Sequence, residues 1–343
     1  MIENCFYVEK IDMRFSLFLF AVVFLLSTQI VVAGGAGSLL QTKEDSQAEN
    51  VGPEGSWKQL WLSSLGVYTD FKFNSTQGAN YNLYKGYSKL ASIGGNNIFL
   101  FPGLTAGVAL FRVETQIGSQ LFLNPGIPAR ASQSIRNNTL FGHVLKQFKP
   151  NFFMDLSAAY GKNKLNTTSF LNMGGAGEQV GYANTYSTNW FASLMGVYTK
   201  TWKRWLMNAN GRILYSTVEN GRYSFFFQTA FPTQVVEPLS NKSWFLMENV
   251  ELGYNLEKYP AWIPFVNAGL VQVLSYQNSR PLVNIAINGI TPQLNLDKNG
   301  FRLGAGLAYT HKQFTLRLEE QYYNAGSVFT SYQTILGVKY AMA

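Results

Sequence analysis

The sequence predicts an all-β fold: an antiparallel up-and-down transmembrane β-barrel of about twelve strands, with short turns on one edge and long loops on the other. Three observations predict it. Short turns recur roughly every fifty residues, and nearly all carry aromatics: Phe99-Leu100-Phe101-Pro102-Gly103, Phe148-Lys149-Pro150-Asn151-Phe152, Trp202-Lys203-Arg204-Trp205, Tyr259-Pro260-Ala261-Trp262 and His311-Lys312-Gln313-Phe314. Between consecutive turns lie two segments that alternate apolar and polar residues. A long polar loop usually parts the two. Aromatics at the turns sit where a girdle belongs, at the membrane–water interface.

Composition agrees. Of 343 residues, 47% are hydrophobic and only 13% charged, against about 25% charged in soluble domains. Mean hydropathy is nevertheless close to zero. Strands that alternate lipid-facing and lumen-facing residues average out in this way, whereas membrane helices do not. The 26 Phe, 19 Tyr and 31 Gly suit girdles and closely packed strands.

The long apolar run, Phe15 to Ala33, follows Met13-Arg14 and ends in small residues. It reads as a secretory signal peptide over 1–33, cleaved near Ala33, with Met13 as a possible true start. The competing reading is a retained anchor, for which the run is short. Cys5 is the sole cysteine and precedes this run. The mature chain then has neither disulfides nor thiolate metal ligands. Cleavage removes two cations and three anions, so the formal charge of +8 becomes +9. Many of the cations fall in turns, where solvation accounts for them, and no nucleic-acid partner is expected.

Residues 34–56 are small, polar and acidic. Ser38 to Asn50 can form one short helix, stopped by Gly52 and Pro53. The segment is either a plug in the lumen or a disordered tail. As a plug, it would set Glu44, Asp45 and Glu49 against Arg212, Arg302 and Arg317. The barrel itself takes 57–343. Its strands are expected at 57–73, 81–98, 104–116, 132–148, 151–162, 184–200, 203–217, 243–256, 262–276, 299–310, 314–325 and 329–340. Long outer loops are expected at 118–131, 163–183, 219–241 and 277–298. An even strand number with both termini on the short-turn side is what a closed bacterial barrel requires. The stretch 281–296 is apolar enough to pass for a strand, but its position before the last turn assigns it to a loop.

Alternation fixes faces in three strands. Trp205, Met207, Ala209, Gly211, Ile213 and Tyr215 oppose Asn208, Asn210 and Arg212. Phe314, Leu316, Leu318, Glu320 and Tyr322 oppose Thr315, Arg317, Glu319 and Gln321. Tyr332, Thr334, Leu336, Val338 and Tyr340 oppose Ser331, Gln333, Gly337 and Lys339. The apolar face meets lipid and the polar face the lumen. Glu248 and Glu320 break the apolar face, which places them near strand ends or at bulges, because a mid-membrane carboxylate is costly.

The stretches Gly300 to Tyr309, Phe314 to Tyr323 and Ile335 to Tyr340 resemble the end of an autotransporter translocator barrel. Trp57, Ser92-Ile93-Gly94-Gly95 and Leu104 to Leu110 resemble its opening. The resemblance covers about 57–343. It implies a twelve-stranded outer-membrane barrel of a Gram-negative cell, a helix through the pore and a secreted passenger upstream. The implied partners are outer-membrane lipid and the barrel-assembly machinery. Two departures stand out. Only 34–56 separates signal from barrel, so the barrel is expected to be solitary. Met342 takes the phase of the family's terminal aromatic.

Enzymatic chemistry has little to stand on. The histidines are His143, in a strand, and His311, in a turn. A hydrolase would need His143 beside a serine or an activated water, with Ser132, Ser134 and Asp155 as possible neighbours. No spacing motif ties them together. Neither catalytic residues nor metal or cofactor sites are assigned, and Gly174 to Gly177 reads as loop. The informative set faces inward: Asp155, Asn208, Asn210, Arg212, Asn249, Glu251, Asn267, Arg302, Arg317, Glu319 and Lys339. These residues either tune solute passage or form ion pairs that brace a narrow lumen, and bracing is favoured, since twelve strands lie between filled and open barrels. The function expected is an integral outer-membrane pore, structural or transport protein. The alternatives are a hydrolase using His143, or an adhesin or receptor whose loops, with Phe225, Phe226 and Phe227, bind an extracellular ligand. The sequence leaves the oligomeric state open.

Overall fold

A computed structural model describes residues 60–77, 80–123, 127–172, 178–228, 233–236, 238–278 and 298–342. The expectations for the signal peptide, for 34–56 and for 281–296 lie outside the described residues. Among the described residues fourteen strands form: β1 (Trp61–Gln77), β2 (Asn80–Phe101), β3 (Leu104–Leu123), β4 (Ile127–Lys149), β5 (Phe152–Asn172), β6 (Glu178–Trp202), β7 (Trp205–Asn220), β8 (Tyr223–Phe227), β9 (Gln234–Val236), β10 (Leu239–Tyr254), β11 (Trp262–Asn278), β12 (Gly300–His311), β13 (Phe314–Ala325) and β14 (Phe329–Ala341). Twelve make the barrel. The other two, β8 and β9, pair with each other as a small hairpin, and β8 pairs with the end of β6.

Every barrel strand runs antiparallel to its chain neighbours, and β1 closes on β14 from Trp61↔Ala341 to Phe73↔Phe329. Closure leaves no unpaired edge in a medium that cannot hydrogen-bond one. The first and last strands therefore share the short-turn end, as expected. The tight turns use turn chemistry: Pro102 precedes Gly103 at φ 72°, while Lys203 and Lys312 hold φ 52° in two-residue turns.

The outward face carries two rings of aromatics. Phe148, Trp202, Trp205, Tyr259, Trp262, Phe314 and Tyr340 mark the short-turn end. Tyr68, Tyr87, Tyr160, Trp190, Trp244, Tyr322 and Tyr332 mark the other. Between them lie exposed Leu, Ile and Val, such as Leu194, Ile213, Val250, Leu303, Leu318 and Leu336. This is the apolar band of a membrane barrel.

Three expectations are corrected. The stretches 118–131 and 163–183 are mostly strand: β3 to β6 run 20, 23, 21 and 25 residues, where roughly ten suffice to cross a bilayer. Their polar sequences still alternate, with Asn163 and Leu165 buried between exposed Lys162, Lys164 and Asn166. Water solvates the outer face there, so polarity does not end the ladder. The loop at 219–241 contains the β8–β9 hairpin. Finally, Glu248 stands mid-strand on β10, four residues beyond the Trp244/Phe245 bulge and midway between Trp244 and Tyr254. Its carboxylate accepts from Gln272 Nε2 at 3.2 Å. Glu320 lies one outward step inside Tyr322 and accepts from Thr334 Oγ1 at 2.8 Å. Local hydrogen bonds, rather than strand ends, offset their exposure to lipid.

Candidate functional site in the barrel lumen

Inward residues divide the lumen into two zones. Toward the long-loop end an apolar cluster lines much of it, including Phe73, Phe111, Phe141, Phe191, Phe245 and Phe329, beside buried Asn137, Asn163 and Asn189. Toward the short turns the inward side chains are mostly polar. The structure buries ten of the eleven residues singled out from sequence; Asn210 is inward but half-buried.

Four of the eleven share one network. Arg317 on β13 donates to both oxygens of Glu251 on β10, at 3.1 and 2.7 Å. The same guanidinium donates to Glu319 at 2.9 and 3.3 Å. Glu319 also accepts from Asn267 Nδ2 at 2.7 Å and from Gln321 Nε2 at 2.6 Å. Phe265 lies under the guanidinium, 3.6 Å from its carbon. Every oxygen of both carboxylates thus meets a donor, as burial of charge demands.

The remaining residues lie elsewhere on the wall. Arg212 Nη2 reaches Met195 Sδ at 3.2 Å. Lys339 packs its ammonium over Trp61 at 3.8 Å. Arg302 stands near the long-loop end of β12, against Gly269. Asp155 pairs with His143, with Oδ2 2.6 Å from Nδ1, while His143 Nε2 is 3.0 Å from Asn96 Oδ1.

Glycines make these reaches possible. Arg317 and Glu251 are three strands apart, with β11 and β12 between them. Gly304 and Gly306 on β12 face inward, and a Cβ there would meet Asn267 at 2.5 Å and the Phe265 ring at 2.3 Å. Gly107 on β3 does the same between Asn96 on β2 and His143 on β4, where a Cβ would fall 2.3 Å from Nε2. Gly161 on β5 lets Asn137 on β4 donate to Asn189 on β6 at 3.0 Å. A bare middle strand becomes a saddle over which its neighbours bond.

Of the neighbours the sequence offered His143, the structure brings up Asp155 but neither Ser132 nor Ser134. Ser132 and Ser134 face outward, far along β4 from His143, and Ser134 bonds Gln116. Ser157, the cross-strand partner of His143, shares its hydroxyl with Ser193 at 2.8 Å. Among the described residues no group of His, Asp, Glu or Cys could hold a metal ion. Sequence reasoning placed Gln321 on the inward face without singling it out, and it missed Asn96, Phe265 and Trp61.

Solved structures with this architecture include the translocator domain of the autotransporter NalP from Neisseria meningitidis, with 12% identity, TM-score 0.59, and 81% of this chain and 88% of that one covered. Another is the transport unit of the autotransporter AIDA-I from Escherichia coli, with 11% identity, TM-score 0.55, and coverage of 96% and 100%. The β domain of the Bordetella autotransporter BrkA gives 11%, 0.50, 82% and 98%. At these identities the likeness shows the fold alone. No curated protein sequence matches the chain. The family model of the autotransporter β-domain matches residues 55–319, most of the chain. With its closed twelve-stranded barrel and paired girdles, the chain belongs to the autotransporter β-domain family and is an outer-membrane barrel.

Proposed function

We propose that this protein is a braced outer-membrane pore whose lumen is occupied by its own N-terminal segment. The observation that carries the reading is the inward ion network of Arg317, Glu251 and Glu319. Each carboxylate is fully engaged by the wall itself, so the network holds the barrel's shape rather than offering a solute free charges. Strand β1 begins at the short-turn end, so residues 34–56 reach the barrel at the periplasmic mouth. In this reading Glu44, Asp45 and Glu49 face the basic side of the lumen wall, where Arg212, Arg302 and Arg317 are all inward and buried. A 13-residue helix is about 20 Å long and crosses most of the hydrocarbon core.

The test is ion conductance of the purified protein in a planar bilayer, with and without residues 38–50. Deletion should raise conductance markedly, and high salt should weaken the plug by screening its ion pairs. Unchanged conductance after deletion overturns the plug. A His143→Ala variant should fold with no hydrolytic activity lost, since the two ring nitrogens of His143 meet Asp155 and Asn96.

A further inference from the structure

The outward face of β2 to β5, at and just beyond the outer girdle, carries a concentration of cations found nowhere else on the described wall. Lys85 and Lys89 on β2, Arg112 on β3, Arg136 on β4, and Lys162 and Lys164 on β5 are all exposed. Cross-strand register brings them together. One row runs Lys89↔Glu114↔Arg136↔Lys164, and the next runs Ala91↔Arg112↔Asn138↔Lys162. Glu114 is the single anion among them, held by Arg112 at 2.8 Å and by Arg136 at 3.8 Å. The nearby girdle residues are Tyr87 and Tyr160. On β12 to β14 the described outward residues at the matching level are Phe301, Tyr322, Asn324, Thr330 and Tyr332, without a cation.

Directly below this basic patch the wall is hollowed. A groove of about 700 Å³ has an apolar floor of Ala91, Ile93, Leu110 and Leu140, rimmed by Arg112, Asn138, Tyr160 and Lys162. Ile93, Leu110 and Leu140 are 65%, 59% and 55% exposed. Apolar floor and cationic rim face the same way, toward lipid, with the rim on the outer side. A soluble anion would use the rim and leave the floor empty. An amphiphile with an acyl chain and a phosphate headgroup uses both.

We propose that this groove binds a phosphorylated glycolipid of the outer leaflet, its acyl chain on Ala91, Ile93, Leu110 and Leu140. Arg112 and Lys162 take one headgroup phosphate, and Arg136 and Lys164 extend the same basic surface outward. Arginine suits phosphate through its planar fork and lysine as a point charge. The acyl chain adds apolar contact along the floor, which the headgroup alone cannot supply.

The test is native mass spectrometry of the full barrel in detergent, titrated separately with bisphosphorylated lipid A, with lipid A stripped of its phosphates, and with phosphatidylglycerol. Wild type should retain lipid A at least about tenfold better than either competitor. Arg112→Ser with Lys162→Ser should lose about tenfold of that retention. The charge-keeping pair Arg112→Lys with Lys162→Arg should keep most of it. Lys200→Ser, on the outward face near the opposite end, should change nothing. Heat-modifiable migration on gels checks that each variant is folded. Equal retention of the phosphate-free lipid, equal retention by the Ser pair, or phosphatidylglycerol binding as tightly as lipid A each overturns the proposal.

Discussion

Glu248 presents a carboxylate to lipid between Trp244 and Tyr254, where it accepts a hydrogen bond from Gln272. Replacing it by Leu removes a polar group from the apolar band and leaves the ladder intact. Glu248→Leu should therefore stabilise the barrel by about 1–2 kcal/mol, read as a higher urea midpoint in lipid vesicles; a lower midpoint would show that the carboxylate serves a contact worth more than its lipid exposure. Arg317 is the opposite case. It answers two buried carboxylates at once. Arg317→Met strands both, and should cost about 3–5 kcal/mol. The triple change with Glu251→Leu and Glu319→Leu should recover most of that loss, because a buried ion cluster replaced as a whole is often neutral. Continued instability of the triple variant would mean that packing against Phe265, rather than charge, is what the guanidinium supplies.

At the scale of elements, the tall strands make topology testable. Single cysteines in a Cys5→Ser background at Lys164 or Ser327 should react with an impermeant maleimide on intact cells. Cysteines at Lys149 or Lys258 should react only after the outer membrane is breached. The reverse pattern would invert the barrel. The sequence already carried much of this layout. Alternation placed Trp205 to Tyr215 outside and Asn208 to Arg212 inside, and the structure agrees. Period two survives any solvent, so faces are legible wherever strands are. Strand ends are less so. Lys162, Lys164 and Asn166 look like loop because β5 leaves lipid there while its ladder continues. The partners within the lumen were not legible at all. Arg317 finds Glu251 across two intervening strands, and Asn96 finds His143 over Gly107. Both depend on register across three or four strands and on which inward positions lack a Cβ, which no single strand's pattern records.

At the scale of the whole molecule, the closed cylinder is one cooperative object. The seam joins residues some 280 apart in sequence, Trp61 to Ala341, so loop closure over nearly the whole barrel precedes its last hydrogen bonds. The two girdles also set a length. On β13, Phe314 and Tyr322 are the inner and outer aromatics; on β14, Tyr340 and Tyr332 are. Eight steps of about 3.4 Å on a strand tilted by about 40° rise roughly 21 Å. That is a gauge for bilayer thickness. A hydrocarbon core of about 30 Å overshoots it, and the lipid beside β13 and β14 must thin or the barrel must tilt, at a cost for each ångström of mismatch. Bacterial outer membranes are thinner than average, so the same dimension that handicaps the protein in a thick bilayer sorts it into the membrane it suits. Refolding from urea into vesicles of twelve-carbon lipids should accordingly outpace refolding into eighteen-carbon ones; equal rates would mean that the girdles register with headgroups only after insertion, and that thickness plays no part in where this barrel resides.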